Sequence, residues 1–191
     1  MNAVSMRADA RRNRLTILAA AEAVFAEKGA SVPVDEVARR AGVGVGTLYR
    51  HFPTKEALFA AVIVHHMERL RDEARALADS DDPGGALFEF LALMAREGTS
   101  KRNLVDALSG AGIDIKDAAA DTKAELEQAA GRLLARAQEA GQVRPDVTLA
   151  DLVGLVMGAC TAGEGGPPAG CSSARMISVV CDGLRAMASP R

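Results

Sequence analysis

The stretch AGVGVGTLYRHFPTKEALFAAV (Ala41–Val62) decides how the chain is read. Gly42 ends a helix, because glycine accepts the left-handed backbone that commonly closes one, and Val43 follows as the apolar residue of a tight turn. A new helix begins near Val45 or Gly46 and carries Thr47, Leu48, Tyr49, Arg50, His51 and Phe52. Pro53 closes it, since the residue before a proline avoids helical angles. Thr54 is placed to cap a long next helix, with Ala57 rather than an acid at its third position. That helix runs through Leu58, Phe59, Val62, Ile63, His66, Met67 and Leu70 to about Ala78.

Working back toward the start, Asp9–Lys28 places Ile17, Leu18, Ala21, Val24 and Phe25 at three- and four-residue spacing, one apolar helix face that Gly29 brings to an end. Val34–Ala41 is a second, short helix. Pro33 suits its start, Asp35 and Glu36 suit the positive end of its dipole, and Val37, Ala38 and Ala41 form its inner stripe. Working forward, Asp79, Ser80, Asp81, Asp82, Pro83 and Gly84 form a strong loop signal. Further helices are predicted at 85–97, 101–110, 116–140, 149–162 and 173–188, with Thr148 and Asp151 as a capping-box-like start. AGEGGPPAG (Ala162–Gly170) reads as a surface connection; a phosphate loop would follow a strand and open a helix with a lysine. No repeat and no strand pattern is visible. Abundant Ala and Leu, 3 % aromatics and no Trp agree with an all-α chain.

Two short helices joined by a glycine-containing turn, the second rich in exposed polar and aromatic groups, form a helix-turn-helix arrangement. The major groove is about 12 Å wide and admits one helix. A companion must hold that helix out from the body, and Gly42 and Gly44 permit the tight turn this needs. The formal charge of −2 hides an asymmetry. Residues 1–55 hold nine basic and five acidic side chains, a balance of +4 against −6 for the remainder. A basic head on an acidic body suits a protein whose first part meets phosphates.

Ala41–Val62 resembles the signature of the TetR family, in which a turn ending in AGV leads to a G-T-L-Y-x-H-F helix and then K-E-x-L. RLTILAAAEAVFAEKGA (Arg14–Ala30) and VDEVARRAGV (Val34–Val43) are similar to that family's first two helices, in order and at the right spacing. The resemblance covers about 50 residues, close to a quarter of the 191. It implies that the third helix lies in the major groove, with Tyr49 and His51 on the DNA backbone, Thr47 near the groove floor and Lys55 on a phosphate. Val45, Gly46 and Arg50 stand at the variable positions that set sequence preference. Many members begin the second helix with a Thr whose hydroxyl caps it and touches phosphate; here Pro33–Val34 replaces it. Leu48 and Phe52 read as core, and Arg11, Arg12 and Arg14 as a solvated face that can reach phosphate.

The domains expected are 9–56 for DNA binding and 57–191 for a helical ligand-binding and dimerisation body. Leu149, Leu152, Val153, Val156 and Met157 form one stripe and Met176, Ile177, Val180 and Leu184 another, compatible with pairing between subunits or with internal core, and Gly154 and Gly158 allow close helix approach. The resemblance implies a homodimer on a palindromic double-stranded operator. It also implies an internal cavity for a largely apolar effector, with Phe88, Phe90, Leu91, Met94 and Met157 as candidate lining, and release from DNA when that effector binds. The alternatives are an activator, a regulator that needs a co-ligand, or one sensing thiol oxidation through Cys160, Cys171 or Cys181. The cysteine spacing fits no zinc pattern, and reduced thiols in a cytoplasmic, nucleoid-associated protein are expected. His65–His66 lacks the carboxylate four residues on that would make a helical metal pair. No catalytic constellation, cofactor motif, leader peptide or membrane span is visible, so an enzyme is not expected.

Overall fold

A computed structural model of the chain describes residues 3–29, 31–110, 116–161 and 172–186. Eight helices are present among them: α1 (Ala3–Lys28), α2 (Val34–Ala41), α3 (Val45–His51), α4 (Lys55–Leu77), α5 (Pro83–Gly110), α6 (Lys116–Glu139), α7 (Leu149–Thr161) and α8 (Ser173–Leu184). The chain folds as all-α, with a single isolated bridge, Val143 to Arg185, as the only strand-like pairing among the described residues. The segment Ala162–Gly170 lies outside the described residues, as does Cys171.

The helix ends follow local chemistry. Gly42 adopts φ 68° and ends α2 with a paired carbonyl cap, its N–H reaching the Arg39 carbonyl while the Val43 N–H reaches that of Ala38. Thr54 Oγ1 accepts from the Ala57 N–H at 3.1 Å and starts α4. Thr148 and Asp151 close a reciprocal box at α7: Asp151 Oδ2 accepts from the Thr148 N–H at 2.8 Å, and Thr148 Oγ1 accepts from the Asp151 N–H at 3.2 Å.

Two expectations need correction. The segments predicted at 85–97 and 101–110 are one helix, because Gly98 does not break α5 but serves a contact. A Cβ there would lie 2.8 Å from Cys160 Sγ, so the missing side chain is what lets α7 approach. The last helix stops at Leu184, not 188, where Arg185 turns to extended angles (φ −59°, ψ 137°). The Arg144 N–H then donates to the Leu184 carbonyl, and the Ala186 N–H to that of Gln142.

The chain divides into two compact units, one built on residues 3–66 with the described part of 101–120, the other on 67–100 with the described part of 121–186. In the first, Ile17, Ala21, Val24 and Phe25 of α1 are buried with Val37 and Ala38 of α2, Leu48 of α3, Phe52, and Leu58, Phe59 and Val62 of α4. The Phe25 and Phe59 rings stack at 4.3 Å. Each such large apolar side chain, fully buried, contributes about 1.5–3 kcal/mol relative to exposure. In the second unit Leu87, Phe90 and Leu91 of α5, Leu133 and Ala137 of α6, Leu152 and Val156 of α7 and Ile177 of α8 share one core.

Candidate functional site

The register of α3 divides its side chains sharply. Leu48 is wholly buried and, with Phe52 just past the helix, anchors α3 in the core of the first unit. Val45, Gly46, Tyr49 and Arg50 are exposed, while Thr47 and His51 are half-buried beside them. Lys55, half-buried at the start of α4, holds its ammonium 5.7 Å from the Phe59 ring centre. All seven residues named for DNA contact therefore lie on α3 or the adjoining first turn of α4. Tyr49, 44 % exposed, is a large aromatic ring left out of the core.

The basic charges around this face are not equally available. Arg40 makes two 2.7 Å hydrogen bonds to Glu27. Arg39 reaches Glu36 at 2.7 Å and Lys28 reaches the same carboxylate at 2.6 Å. The Arg40–Glu27 and Lys28–Glu36 pairs fasten α2 to α1, while Arg39–Glu36 lies within α2. The Arg39 guanidinium, with Lys28 second, holds the Glu36 carboxyl down at about 2, and Arg40 likewise holds Glu27 below the usual carboxylate range. Arg50 has no hydrogen bond or ion pair among the described residues, and Arg14 lays its guanidinium over the Phe52 ring at 4.7 Å. Pro33 caps α2 in an extended conformation without a side-chain hydrogen bond.

The second unit contains a cavity of about 340 Å³. Its lining is Met67 of α4; Leu87, Phe90, Leu91 and Met94 of α5; Lys123, Leu126, Glu127 and Ala130 of α6; and Leu149, Leu152, Val153 and Met157 of α7. Phe90, Leu91, Met94 and Met157 were named as candidate lining from sequence. Phe88 was too, and the structure corrects that: it lies two residues from Phe90, on another side of α5, with the Arg185 guanidinium 4.9 Å from its ring. Sequence reasoning missed Met67, Leu87, Leu126, Leu149, Leu152 and Val153 as lining. They carry no signal beyond core-like periodicity; a cluster of three methionines is the one compositional hint.

The stripes on the last two helices are divided: Val153 and Met157 are exposed, and Leu149, Met176 and Val180 half-buried. Leu152, Val156, Ile177 and Leu184 are buried in this unit's own core. The apolar side chains exposed on these helices include Leu155 (43 %) on α7 and Val179 (55 %) on α8, beside Gly154 and Gly158, which offer no side chain. No cluster of three or more His, Cys, Asp or Glu side chains able to hold a metal exists among the described residues. None of the described helices is long and apolar enough to cross a membrane.

Comparison with known proteins agrees with this arrangement. Residues 17–62 match the family described as bacterial regulatory proteins, tetR family, and residues 82–186 match the C-terminal domain described as transcriptional regulator SbtR-like. The chain is 30 % identical over 156 residues to the HTH-type transcriptional regulator UidR of Escherichia coli K12, covering 76 % of each. A TetR transcription regulatory protein from Mycobacterium vanbaalenii superposes with a TM-score of 0.78 at 45 % identity, over 94 % of this chain and 99 % of that one. The TetR transcriptional regulator SCO0520 from Streptomyces coelicolor does so with 0.77 at 33 %, over 92 % and 99 %. A helix-turn-helix with a buried anchor and an exposed reading face, and matches along both parts of the chain, lead to one conclusion: this protein belongs to the TetR family of DNA-binding transcriptional regulators.

Proposed function

We propose that the protein is a homodimeric repressor that binds a palindromic operator and leaves it when a small molecule fills the cavity of the second unit. The observation that carries this is the split of α3, with Leu48 wholly buried and Val45, Gly46, Tyr49 and Arg50 presented outward. In this reading Tyr49, His51, Thr47 and Lys55 fix the helix on the backbone, while Val45, Gly46 and Arg50 meet base edges. DNA binding belongs to residues 9–56, and effector binding and dimerisation to 57–191.

The dimer is supported by Leu155 and Val179, exposed beside Gly154 and Gly158 on terminal helices, where a second copy can approach closely. Two-fold symmetry sets the two reading helices about 34–36 Å apart, one turn of DNA. Useful release needs a coupling of about 1–3 kcal/mol between effector and operator. The thiol-sensing alternative gains no support from the described cysteines. Cys160 and Cys181 are buried, and burial pushes the Cys181 thiol up, away from the reactive thiolate.

The test is capture of fragments of the source genome by purified protein, read by sequencing. An enriched palindrome with half-sites one helical turn apart, or a multiple, is the expected result. No enrichment at low salt removes the operator reading unless an added co-ligand restores it; a single non-palindromic half-site removes the dimer.

A further inference from the structure

The walls of the second unit's cavity are carbon and sulfur, and its only charged lining groups, Lys123 and Glu127, are exposed at its edge and approach each other to 3.5 Å. We propose that this cavity takes an uncharged, predominantly apolar molecule of roughly ten to fifteen non-hydrogen atoms, with at most one hydroxyl or carbonyl group, held beside Lys123 and Glu127. The proposal rests on reading the cavity as the effector site and names its ligand chemistry.

Size comes from the volume. Water occupies about 30 Å³ per molecule in the liquid, so about 340 Å³ is room for roughly eleven heavy atoms, and somewhat more when they are bonded and closely packed. Polarity comes from the lining. A sugar-like ligand would bury hydroxyls with no hydrogen-bond partner on the wall, and each unpaired group is costly. A carboxylate fares no better, because the rim ammonium is already met by Glu127 and the pair carries no net charge. Tolerance of shape comes from Met67, Met94 and Met157, whose unbranched thioethers adjust to straight and flat ligands alike, with Phe90 as a ring for either to lie against.

The experiment titrates the full chain by calorimetry with 1-decanol, 2-naphthol, decanoate and glucose, and adds each to the protein–operator complex. Decanol and naphthol are expected to bind saturably, with Kd at least tenfold below that of decanoate, and glucose not to bind. Met94→Trp, which fills the cavity, should weaken both neutral ligands at least tenfold, while Lys123→Ala changes them less than threefold. Should Met94→Trp fail to fold, Val153→Trp at the 39 % exposed edge takes its place. The proposal falls if decanoate binds as tightly as decanol and loses that affinity in Lys123→Ala, if glucose binds, or if neither neutral ligand saturates. Saturable decanol binding that leaves operator affinity unchanged keeps the ligand chemistry and removes the effector reading. Operator release by decanoate or glucose alone keeps an effector and overturns its assigned chemistry.

Discussion

The two compact units sort their side chains in different ways. On α3, neighbours in sequence have opposite fates: Leu48 is sealed in the core and Tyr49 is 44 % exposed. In the second unit one residue serves two ends at once, since Leu87, Phe90 and Leu152 are core members and also cavity wall. A surface meant for DNA must differ in chemistry from the core behind it. A surface meant for an apolar ligand need not, and its position depends on where helices fail to meet.

The sharpest way to break this contrast is substitution at adjacent positions. Leu48→Ala should destabilise the first unit by about 2–5 kcal/mol, the range for emptying a buried leucine site. Tyr49→Ala should leave thermal unfolding nearly unchanged yet weaken operator binding by about 1–3 kcal/mol. Unfolding curves and DNA titrations on both variants check the pair, and a Tyr49→Ala protein that binds normally would remove this face as the DNA contact. Next in size, Gly98→Ala should cost about 1–3 kcal/mol by pressing a methyl group into Cys160 Sγ. Cys160→Ala in the same chain should recover part of it, a coupling that a double-mutant cycle measures directly. Independent, additive effects would mean the two helices do not meet there.

The smallest effect concerns acid. Glu36 is held at about 2 by Arg39 and Lys28, below the usual carboxylate range. Its contribution is therefore complete above that range and fades as pH falls toward 2. Because both partners are exposed and Glu36 is only half-buried, the loss should be slight and weakened further by salt. Acid unfolding of Glu36→Gln against the parent checks it: the variant should show a flatter loss, and identical profiles would remove the pair from the link between α2 and α1.

The comparison also explains what could be read before folding. Gly42, Pro53 and Thr54 each impose a backbone event that the residue type declares, and α2, α3 and α4 end or begin where those residues put them, whereas Gly44 takes extended angles that any residue adopts. The seven contact candidates follow from the resemblance of Ala41–Val62 to the TetR signature. The helix predicted to end at 97 continues through Gly98 for a physical reason: glycine weakens a helix, but here the missing Cβ admits a sulfur atom from a neighbouring helix. Phe88 and Phe90 could not be separated by type, only by the 200° between them around α5. The cavity walls and the side of α8 that stays exposed are set by long-range packing, which periodicity describes without assigning a partner.

The turn after α6 has a consequence for how the second unit is completed. Gln142 accepts the Gly84 N–H at 2.6 Å and donates to Asp82 at 3.0 Å, its carbonyl receives the Ala186 N–H, and Val143 beside it is buried. One glutamine thus fastens the beginning of α5 to the chain just after α8. Such closures bear their entropy before any contact rewards them; the bonds of Gln142 to Gly84 and Asp82 can form as soon as α6 is complete, whereas the bond from Ala186 must wait until that residue has emerged. Arg185 and Ala186 therefore act as the clasp of the body, holding the end of α8 to the turn that follows α6.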